Sequence, residues 1–378
     1  MSIHERYGLT RVINARGTFT PLGVSRSSQL VGQTVAQALG DFFIMDELHS
    51  LVSRSAAAWA GGEAAAVTHC VAAATTISVA AAMAGSDPEK VAALPDARGL
   101  PDRVVLPAGH AVDYGHPNST DIRLAGAVPV LAGCASACST RDLEAALAHE
   151  RTACLLLVSS RLTAGSPVDL RDAVAAAHRR GVPAIIDAAA QDMRMDQLVN
   201  TGADAVLFSA QKYLASPTAG LIIGRTQFVH DCRAQERGIG RAMKPTKEAI
   251  LGVLAAIEER RHLDAGAWRV AQARKVAWFV DRVNRMDSVA ACEVPDPTGM
   301  PFSRVRLTVH PEGEGWNAAV LAARLRSSTP PVWVMEHAAS EGYLFLELVP
   351  LDEAEVEVIV DRLVLCAAGR STAAPQSN

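Results

Sequence analysis

The stretch AVLFSAQKYLASPTAGLIIG, residues 205–224, decides the fold prediction. Two apolar runs, 205–208 and 221–223, predict strands, and the polar turn between them carries one lysine, Lys212. A lysine at the end of a buried strand is costly unless it is bonded to another group, and a lysine that forms a Schiff base is one such case. The stretch therefore predicts a sheet edge that holds a reactive amine.

A carboxylate stands at the end of the preceding predicted strand, 184–186, where Asp187 follows three apolar residues. A pyridoxal 5'-phosphate (PLP) site needs this arrangement, because the lysine holds the aldehyde and the acid keeps the pyridine nitrogen protonated. Taken singly, Lys212 could be a solvated loop lysine and Asp187 a helix N-cap. The two in this order favour the cofactor site.

Short apolar runs alternate with helical segments between Ala65 and Ile223. This alternation predicts an α/β fold, with a large domain built around a central, mostly parallel sheet. Ligands of such sheets bind beyond the carboxyl ends of the strands. The polar side chains at or just past predicted strand ends are those of Thr68, His110, Ser160, Asp187, Ser209 and Lys212.

The length of 378 residues is enough for two domains. Beyond the large domain, alternating runs near 304–310, 331–336 and 344–348 and a helix over 352–367 predict a small α+β domain. We expect an N-terminal segment, 1–45, that packs with the small domain or a partner subunit, a PLP-binding large domain, 46–250, a linker helix and small domain, 251–368, and a disordered tail, 369–378.

Composition excludes several classes of protein. A net charge of −4 provides no basic field for nucleic acid, and no apolar stretch is long enough to span a membrane. The seven cysteines are scattered, without a Cys-x-x-Cys pair, and no histidine pair has metal-ligand spacing. We therefore expect no metal, a reducing compartment and, because no signal peptide is visible, a cytoplasmic enzyme.

The remaining parts of a PLP site have candidates at the same sheet edge. His110, or in reserve His116, could stack on the ring, although His110 could equally be an ordinary core or surface histidine. A helix predicted to begin after Cys70 offers free N–H groups and a favourable dipole to a phosphate. Residues for this phosphate are Thr68, His69, Cys70 and Ser209.

An arginine should bind the substrate carboxylate through paired hydrogen bonds, and Arg16, Arg161 and Arg306 are all possible. A basic turn with Arg241, Lys244 and Lys247 flanks the N-terminus of the predicted helix 246–262. It could bind the cofactor phosphate of a neighbouring subunit or a phosphate on the substrate. It could equally be a solvated basic turn.

The whole order resembles the selenocysteine-synthase-like group of fold-type I PLP enzymes, and in layout its shorter ammonia-lyase members. The resemblance covers about residues 8–260 well and the C-terminal part loosely. The matching stretches are INARG at 13–17 with LG at 22–23, EAAAVT at 63–68, GH at 109–110 with VDYG at 112–115, IDAAAQ at 186–191, FSAQK at 208–212 with GLIIG at 220–224, and GRAMK at 240–244 with KE at 247–248.

The resemblance implies an aspartate-aminotransferase-like large domain and assigns roles by position. Lys212 would be the Schiff-base lysine, Asp187 the partner of the ring nitrogen and His110 the stacking ring, with Ser209 at the phosphate and Gln211 also at the cofactor. Where relatives often have a glycine-containing turn, this chain has His69 and Cys70. The group works as dimers or larger rings. The N-terminal extension that binds tRNA in the selenium transferases is not expected here.

We expect a PLP-dependent lyase that removes a β-hydroxyl and releases ammonia and a 2-oxo acid from a small hydroxyamino acid or sugar amino acid. Lys212 would move the α-proton, with His110 as the second catalytic side chain. Racemisation, aldol-type cleavage and β-replacement share a carbanion at the α-carbon with this elimination and stay open as alternatives. A catalytically silent PLP-binding protein is the alternative from a different class. The expected partners are a small molecule and further copies of the chain.

Overall fold

A computed structural model describes residues 1–310 and 315–367, so the predicted disordered tail 369–378 lies outside the described residues. The helices are α1 Ile3–Tyr7, α2 Gln29–Gly40, α3 Met45–Ala60, α4 Val71–Ala84, α5 Pro88–Ala93, α6 Ser119–Leu124, α7 Thr140–Leu147, α8 Leu170–Arg179, α9 Met195–Val199, α10 Thr226–Ala234, α11 Lys247–His262, α12 Ala265–Val283, α13 Ala318–Arg326 and α14 Glu353–Ala367. The strands are β1 Ile13–Asn14, β2 Ala64–Thr68, β3 Arg103–Pro107, β4 Val128–Ala132, β5 Thr152–Val158, β6 Ala184–Asp187, β7 Ala205–Ser209, β8 Gly220–Gly224, β9 Val289–Pro295, β10 Ser303–Val309, β11 Val332–Trp333 and β12 Tyr343–Leu346.

The chain forms two compact units. The large unit is 27–262, and the small unit joins 1–26 to 263–378. Each unit has a sheet and an apolar core of its own. The division into segments ending at 45, 250 and 368 stays a prediction.

A seven-stranded sheet forms the centre of the large unit, in the order β2-β8-β7-β6-β5-β3-β4. Only β8 runs antiparallel to its neighbours within this sheet. The carboxyl ends of the parallel strands therefore lie along one edge. That edge carries Thr68 at the end of β2, Asp187 at the end of β6 and Ser209 at the end of β7.

Successive strand residues point to opposite faces of the sheet, and helices cover both faces. Val206 and Phe208 belong to one apolar cluster and Leu207 to the other. Helices α3, α8 and α11 contribute to the first cluster, and α4 contributes to the second. Burial on both faces explains why these strands appear in the sequence as continuous apolar runs.

The small unit contains an antiparallel sheet of three strands in the order β12-β10-β9. Strand β9, 289–295, was not among the predicted strands. The strand expected over 331–336 is reduced to Val332 and Trp333, which pair in parallel with Ile13 and Asn14. This pairing ties the first residues of the chain to its last third, a contact too short and too distant in sequence to show as a periodic pattern.

No helix within residues 1–310 and 315–367 is both long enough and apolar enough to cross a bilayer.

Candidate active site

Lys212 lies in a tight turn that follows β7. Its backbone N–H donates to the Ser209 carbonyl at 3.2 Å, and its carbonyl accepts from the Ala215 N–H at 3.1 Å. Ala215 closes the turn in the left-handed region, with φ of 57°. The strand and this turn place the half-buried Lys212 side chain at the carboxyl edge of the sheet.

Asp187 faces Lys212 from the neighbouring strand β6. Burial raises the pKa of the Asp187 carboxyl group, while the Ala189 N–H, 3.0 Å from Oδ1, and the Lys212 ammonium act in the opposite direction. Burial in turn lowers the pKa of Lys212, against the raising effect of Asp187. Burial therefore favours the neutral amine form of Lys212. The positive charge near Asp187 does not offset the effect of burial on its carboxylate.

His110 ends a 3₁₀ turn directly after β3 and is buried. Its Nδ1 accepts the Val158 backbone N–H at 2.9 Å, so the ring hydrogen lies on Nε2. Burial lowers the pKa of His110 to about 4, which keeps the imidazole neutral at physiological pH. Val158 is in register with Asp187, so His110 lies one strand from that carboxylate.

The segment between β2 and α4 was predicted to bind a phosphate. Thr68 is buried, and its hydroxyl donates to the Cys70 carbonyl at 2.9 Å. Cys70 is the N-cap of α4, and its side chain makes no capping hydrogen bond, so the first N–H groups of a 14-residue helix keep their capacity for an anion. The His69 side chain is exposed, and its backbone N–H already donates to the Met243 carbonyl, so this N–H is not available to the predicted phosphate.

Glycine is required opposite this segment. A Cβ on Gly220 of β8 would lie 2.5 Å from the Cys70 carbonyl carbon and 2.7 Å from Thr68 Oγ1. Ser209, also predicted at the phosphate, is buried and in register with Gly220. The last residues of β2 and β7 and the first residue of β8 therefore lie beside the start of α4.

The other predicted residues differ in their placement. Ser160 is half-buried, and its hydroxyl accepts the Leu162 N–H at 3.2 Å. Gln211 is half-buried beside Lys212, and the exposed Arg161 lies near enough to lower the pKa of Lys212. Arg16 and Arg306 belong to the small unit, where their guanidinium carbons lie 3.8 Å from the Phe19 ring centre and 5.0 Å from the Tyr343 ring centre.

Arg241 and Lys244 are exposed in and just after the 3₁₀ turn Ile239–Met243. The His69 N–H donates to the Met243 carbonyl at 2.9 Å. This bond attaches the basic turn to the segment that begins α4. Lys244 and Thr68 also line the same small cavity.

Asp192 is a buried carboxylate that the sequence reasoning missed. It follows β6 in a 3₁₀ turn, and neither carboxylate oxygen has a hydrogen-bond partner within the described part of the chain. Arg260 Nη1 lies 3.8 Å from its Oδ2. Burial raises the pKa of Asp192 to about 6, opposed by Arg260 and by Lys212. The only signal in the sequence was an acid shortly after Asp187.

A second missed group lies in the loop after His110. The Tyr114 hydroxyl donates to the buried Asp121 carboxylate, and His116 Nε2 lies 2.7 Å from the same hydroxyl. The VDYG motif contained Tyr114, but the motif alone indicated no role for the side chain.

Known proteins resemble the chain over nearly its full length. It is 34% identical over 364 residues to D-glucosaminate-6-phosphate ammonia lyase of Salmonella typhimurium, an alignment that covers 96% of this chain and 97% of the relative. A solved structure of D-glucosaminate-6-phosphate ammonia-lyase superposes with a TM-score of 0.89 and 32% identity, covering 98% of this chain and 99% of that one. The chain belongs to the D-glucosaminate-6-phosphate ammonia lyase family.

Two further relatives show the breadth of this similarity. The 5'-C-glycyluridine monooxygenase-decarboxylase of Streptomyces sp is 33% identical over 365 residues, 95% of this chain and 90% of the relative. The L-seryl-tRNA(Sec) selenium transferase of Yersinia pestis is 27% identical over 245 residues, 58% of this chain and 48% of the relative. No family model matches the chain.

Membership of the D-glucosaminate-6-phosphate ammonia lyase family confirms the predicted group, the fold-type I architecture and an enzyme of the ammonia-lyase type that depends on PLP and acts on a small molecule. The residues fit the cofactor. Lys212 is shifted towards a neutral amine, Asp187 is short of a cation and the start of α4 is free for an anion.

Proposed function

We propose that the chain removes the β-hydroxyl and the amino group from a sugar amino acid that carries a phosphate, and releases ammonia and a 2-oxo acid. The proposal depends mainly on one pair of residues. Asp187 ends β6, and Lys212 lies in the turn that follows the adjacent strand β7. The name of the 34% identical relative supports an amino sugar acid phosphate as the substrate.

When bound, PLP withdraws electrons from the α-carbon of the substrate. Lys212 removes the α-proton, a task for which burial suits it because it lowers the pKa of the amine. Asp187 holds the positive charge of the pyridine nitrogen, and the neutral His110 ring packs on the cofactor. Ser209 and the first N–H groups of α4 bind the cofactor phosphate, with Thr68, Cys70, Ser160 and Gln211 around it.

Arg241 and Lys244 bind the phosphate of the substrate in this proposal. Both side chains are exposed, and the bond between His69 and Met243 holds their turn beside the start of α4. Two cations in a short turn match a dianionic group better than a single carboxylate. Arg161, close enough to Lys212 to affect its pKa, is our candidate for the substrate carboxylate; the roles of Arg16 and Arg306 stay predictions.

The experiment is product analysis of the purified, PLP-loaded protein with D-glucosaminate 6-phosphate. We expect stoichiometric ammonia and 2-oxo acid, and a much lower kcat/KM with D-glucosaminate, which lacks the phosphate. Equal kcat/KM for the two compounds would contradict the phosphate site. Carbon dioxide release with oxygen uptake, or racemised substrate without ammonia, would contradict the elimination.

We also propose that the chain forms a homodimer or a larger homo-oligomer. The segment between α2 and α3 exposes apolar side chains, with Phe42 fully exposed and Ile44 65% exposed. The Lys247 ammonium lies 5.7 Å from the Phe42 ring centre and donates to the Asp41 carbonyl, which holds this segment in place. Sedimentation of the wild type and of Phe42→Ser tests the proposal, and a wild-type monomer would contradict it.

A cytoplasmic location is proposed on the basis of the cysteines. All seven are free thiols, and Cys134 is exposed, as suits a reducing compartment. Localisation of a tagged chain in cells, with a fractionated cytoplasmic marker as the reference, tests this proposal.

A further inference from the structure

Two side chains of the loop after His110, Tyr114 and His116, form a hydrogen-bonded group with Asp121 of α6. The Tyr114 hydroxyl donates to Asp121 Oδ2 and, having a single hydrogen, accepts from His116 Nε2 at 2.7 Å. The His116 Nε2 also lies 3.4 Å from Asp121 Oδ1. Asp121 is buried at one end of this group, and the His116 side chain is 38% exposed at the other.

The loop is held at the carboxyl edge of the sheet by specific bonds. Asn118 Nδ2 donates to the His110 carbonyl at 2.9 Å, and His110 is itself bonded to Val158, the residue in register with Asp187. On the other side, the Thr76 hydroxyl of α4 donates to the Asp121 carbonyl at 2.9 Å. The group is therefore fixed between the middle of α4 and the strand that pairs with the end of β6, where Asp187 lies.

The electrostatics agree with this position. Burial raises the pKa of Tyr114, and the bonded Asp121 and the more remote Asp187 and Cys70 add to the effect. Burial likewise raises the pKa of Asp121 to about 6, and Asp187 contributes in the same direction. Tyr114 thus lies within electrostatic reach of two residues placed at the cofactor, and its phenol keeps its hydrogen at neutral pH.

We propose that Tyr114 is the acid that protonates the departing β-hydroxyl group. This role rests on the elimination proposed above, which otherwise has no assigned proton donor for its leaving group. The carbon–oxygen bond breaks with its electron pair on oxygen, the Tyr114 hydroxyl hydrogen moves from its bond with Asp121 to that oxygen, and the oxygen leaves as water. His116 gives its Nε2 hydrogen to the Tyr114 oxygen as its Nδ1 takes a proton from solvent, while Asp121 orients the phenol.

The positions of Tyr114 and His116 agree with these two roles. A tyrosine with a raised pKa supplies its proton only when another donor replaces it at once, and His116 is the donor already in contact with the phenol oxygen. The exposed part of His116 provides the connection to water. Tyr114 is thus the catalytic residue, and His116 and Asp121 act through it.

The test separates removal of the α-proton from loss of the hydroxyl. Wild type and Tyr114→Phe, both loaded with PLP, are incubated with D-glucosaminate 6-phosphate in D₂O, and 2-oxo acid and deuterium in the recovered substrate are measured. We expect Tyr114→Phe to form 2-oxo acid at least about 10²-fold more slowly, since general acids contribute about that much, while deuterium exchange at the α-carbon persists. Tyr7→Phe, at an exposed tyrosine of α1, should behave as wild type.

A second measurement uses the protein without cofactor. The ¹⁵N resonance of His116 Nε2, assigned with His116→Gln, should shift in Tyr114→Phe because its bond to the phenol oxygen is lost. An unchanged resonance would contradict the hydrogen-bonded group itself.

The outcomes distinguish this proposal from the one on which it rests. If Tyr114→Phe loses exchange and elimination in equal measure, or keeps both, Tyr114 is not the acid although the elimination stands. If the wild type releases no ammonia, the proposed reaction is wrong and the role of Tyr114 falls with it.

Discussion

One buried cluster of charge surrounds Arg304 in the small unit, and another surrounds Lys212 in the large unit. Arg304 Nη2 lies 2.8 Å from Asp296 Oδ2 and 3.2 Å from Glu347 Oε2, and its Nε donates to Asp296 at 3.0 Å. The Lys212 ammonium, by contrast, has no hydrogen-bond acceptor among the described residues and interacts with Asp187 and Asp192 only through their charges.

This difference separates a structural cluster from a functional one. In a cluster that only supports the fold, each buried charge is expected to have a partner of opposite charge, because an unpaired buried charge lowers the free energy of unfolding. At the large-unit site, the nearby Lys212 does not offset the burial of the Asp187 carboxylate. Neither Asp192 carboxylate oxygen accepts a hydrogen bond from a described residue. Such incomplete pairing is expected where a bound group supplies the missing partners. The comparison predicts opposite outcomes for substitutions in the two clusters.

The largest effect is expected at Lys212. Lys212→Ala should abolish the visible absorption band that PLP gives in the wild type, and should slow ammonia release by about 10³-fold or more, because the base and the cofactor attachment are lost together. Melting of the cofactor-free protein should stay unchanged or rise slightly. The matched control is Lys275→Ala, because the Lys275 ammonium donates to the Leu348 and Leu351 carbonyls at 3.0 and 2.7 Å.

The control should show the reverse behaviour. Lys275→Ala removes a half-buried lysine that is already satisfied, so it should lower the melting temperature and keep the band and the activity. If Lys212→Ala kept its ammonia release, or if Lys275→Ala lost the band, the assignment of the two lysines would be wrong.

Arg304 is expected to give the largest effect on stability. Arg304→Ala removes the cation that lies against the buried Asp296 and Glu347 carboxylates, which should cost about 3–5 kcal/mol of unfolding free energy. Urea unfolding measures the loss. Arg285→Ala removes only an exposed ion pair with Asp281 and should cost less than about 1 kcal/mol. Equal losses in the two variants would show that the Arg304 cluster does not stabilise the fold.

The sequence was informative where a charge follows an apolar run. The strands that end at Asp187 and Ser209 are buried on both faces, so their boundaries are visible as changes in hydropathy, and the charges at those boundaries stand out. Lys212 and Asp187 together indicated the cofactor, and the resemblance of the motifs then supported it. These two signals were enough for the fold class and for the position of Lys212.

Residues that depend on contacts distant in sequence were missed for a physical reason. Tyr114 and Asp121 meet because a short loop folds back over α6, and Asp192 is buried by a turn with no apolar period. The pairing of β1 with β11 involves two residues on each side. None of these contacts leaves a periodic pattern, and each depends on the completed tertiary structure.

Asp192 tests whether incomplete pairing costs stability. Its pKa of about 6 lies above the ordinary value of 3.8, so the folded protein binds this proton more tightly than the unfolded chain and is destabilised above pH 6. Asp192→Asn should therefore stabilise the cofactor-free protein at pH 8 by about 3 kcal/mol, since each pKa unit corresponds to about 1.4 kcal/mol. The gain should shrink as the pH falls from 6 to 4.

Urea titrations of wild type and Asp192→Asn at pH 8, 6 and 4 measure this trend. Asp281→Asn, at an exposed carboxylate, should show no such dependence on pH. A variant that was less stable than wild type at pH 8 would mean that the contact with Arg260, at 3.8 Å, outweighs the cost of burying the charge.

The smallest effect is expected at Lys244, where the site meets solvent. Because its side chain is exposed, a charged hydrogen bond from it to a substrate phosphate should contribute about 1.4 kcal/mol, or about tenfold. Lys244→Ala should raise KM for D-glucosaminate 6-phosphate about tenfold and leave kcat nearly unchanged, as expected for a group that binds substrate and transition state equally. The same variant should not alter KM for D-glucosaminate. A fall in kcat for both compounds would instead indicate that Lys244 acts at the cofactor, as Lys212 does.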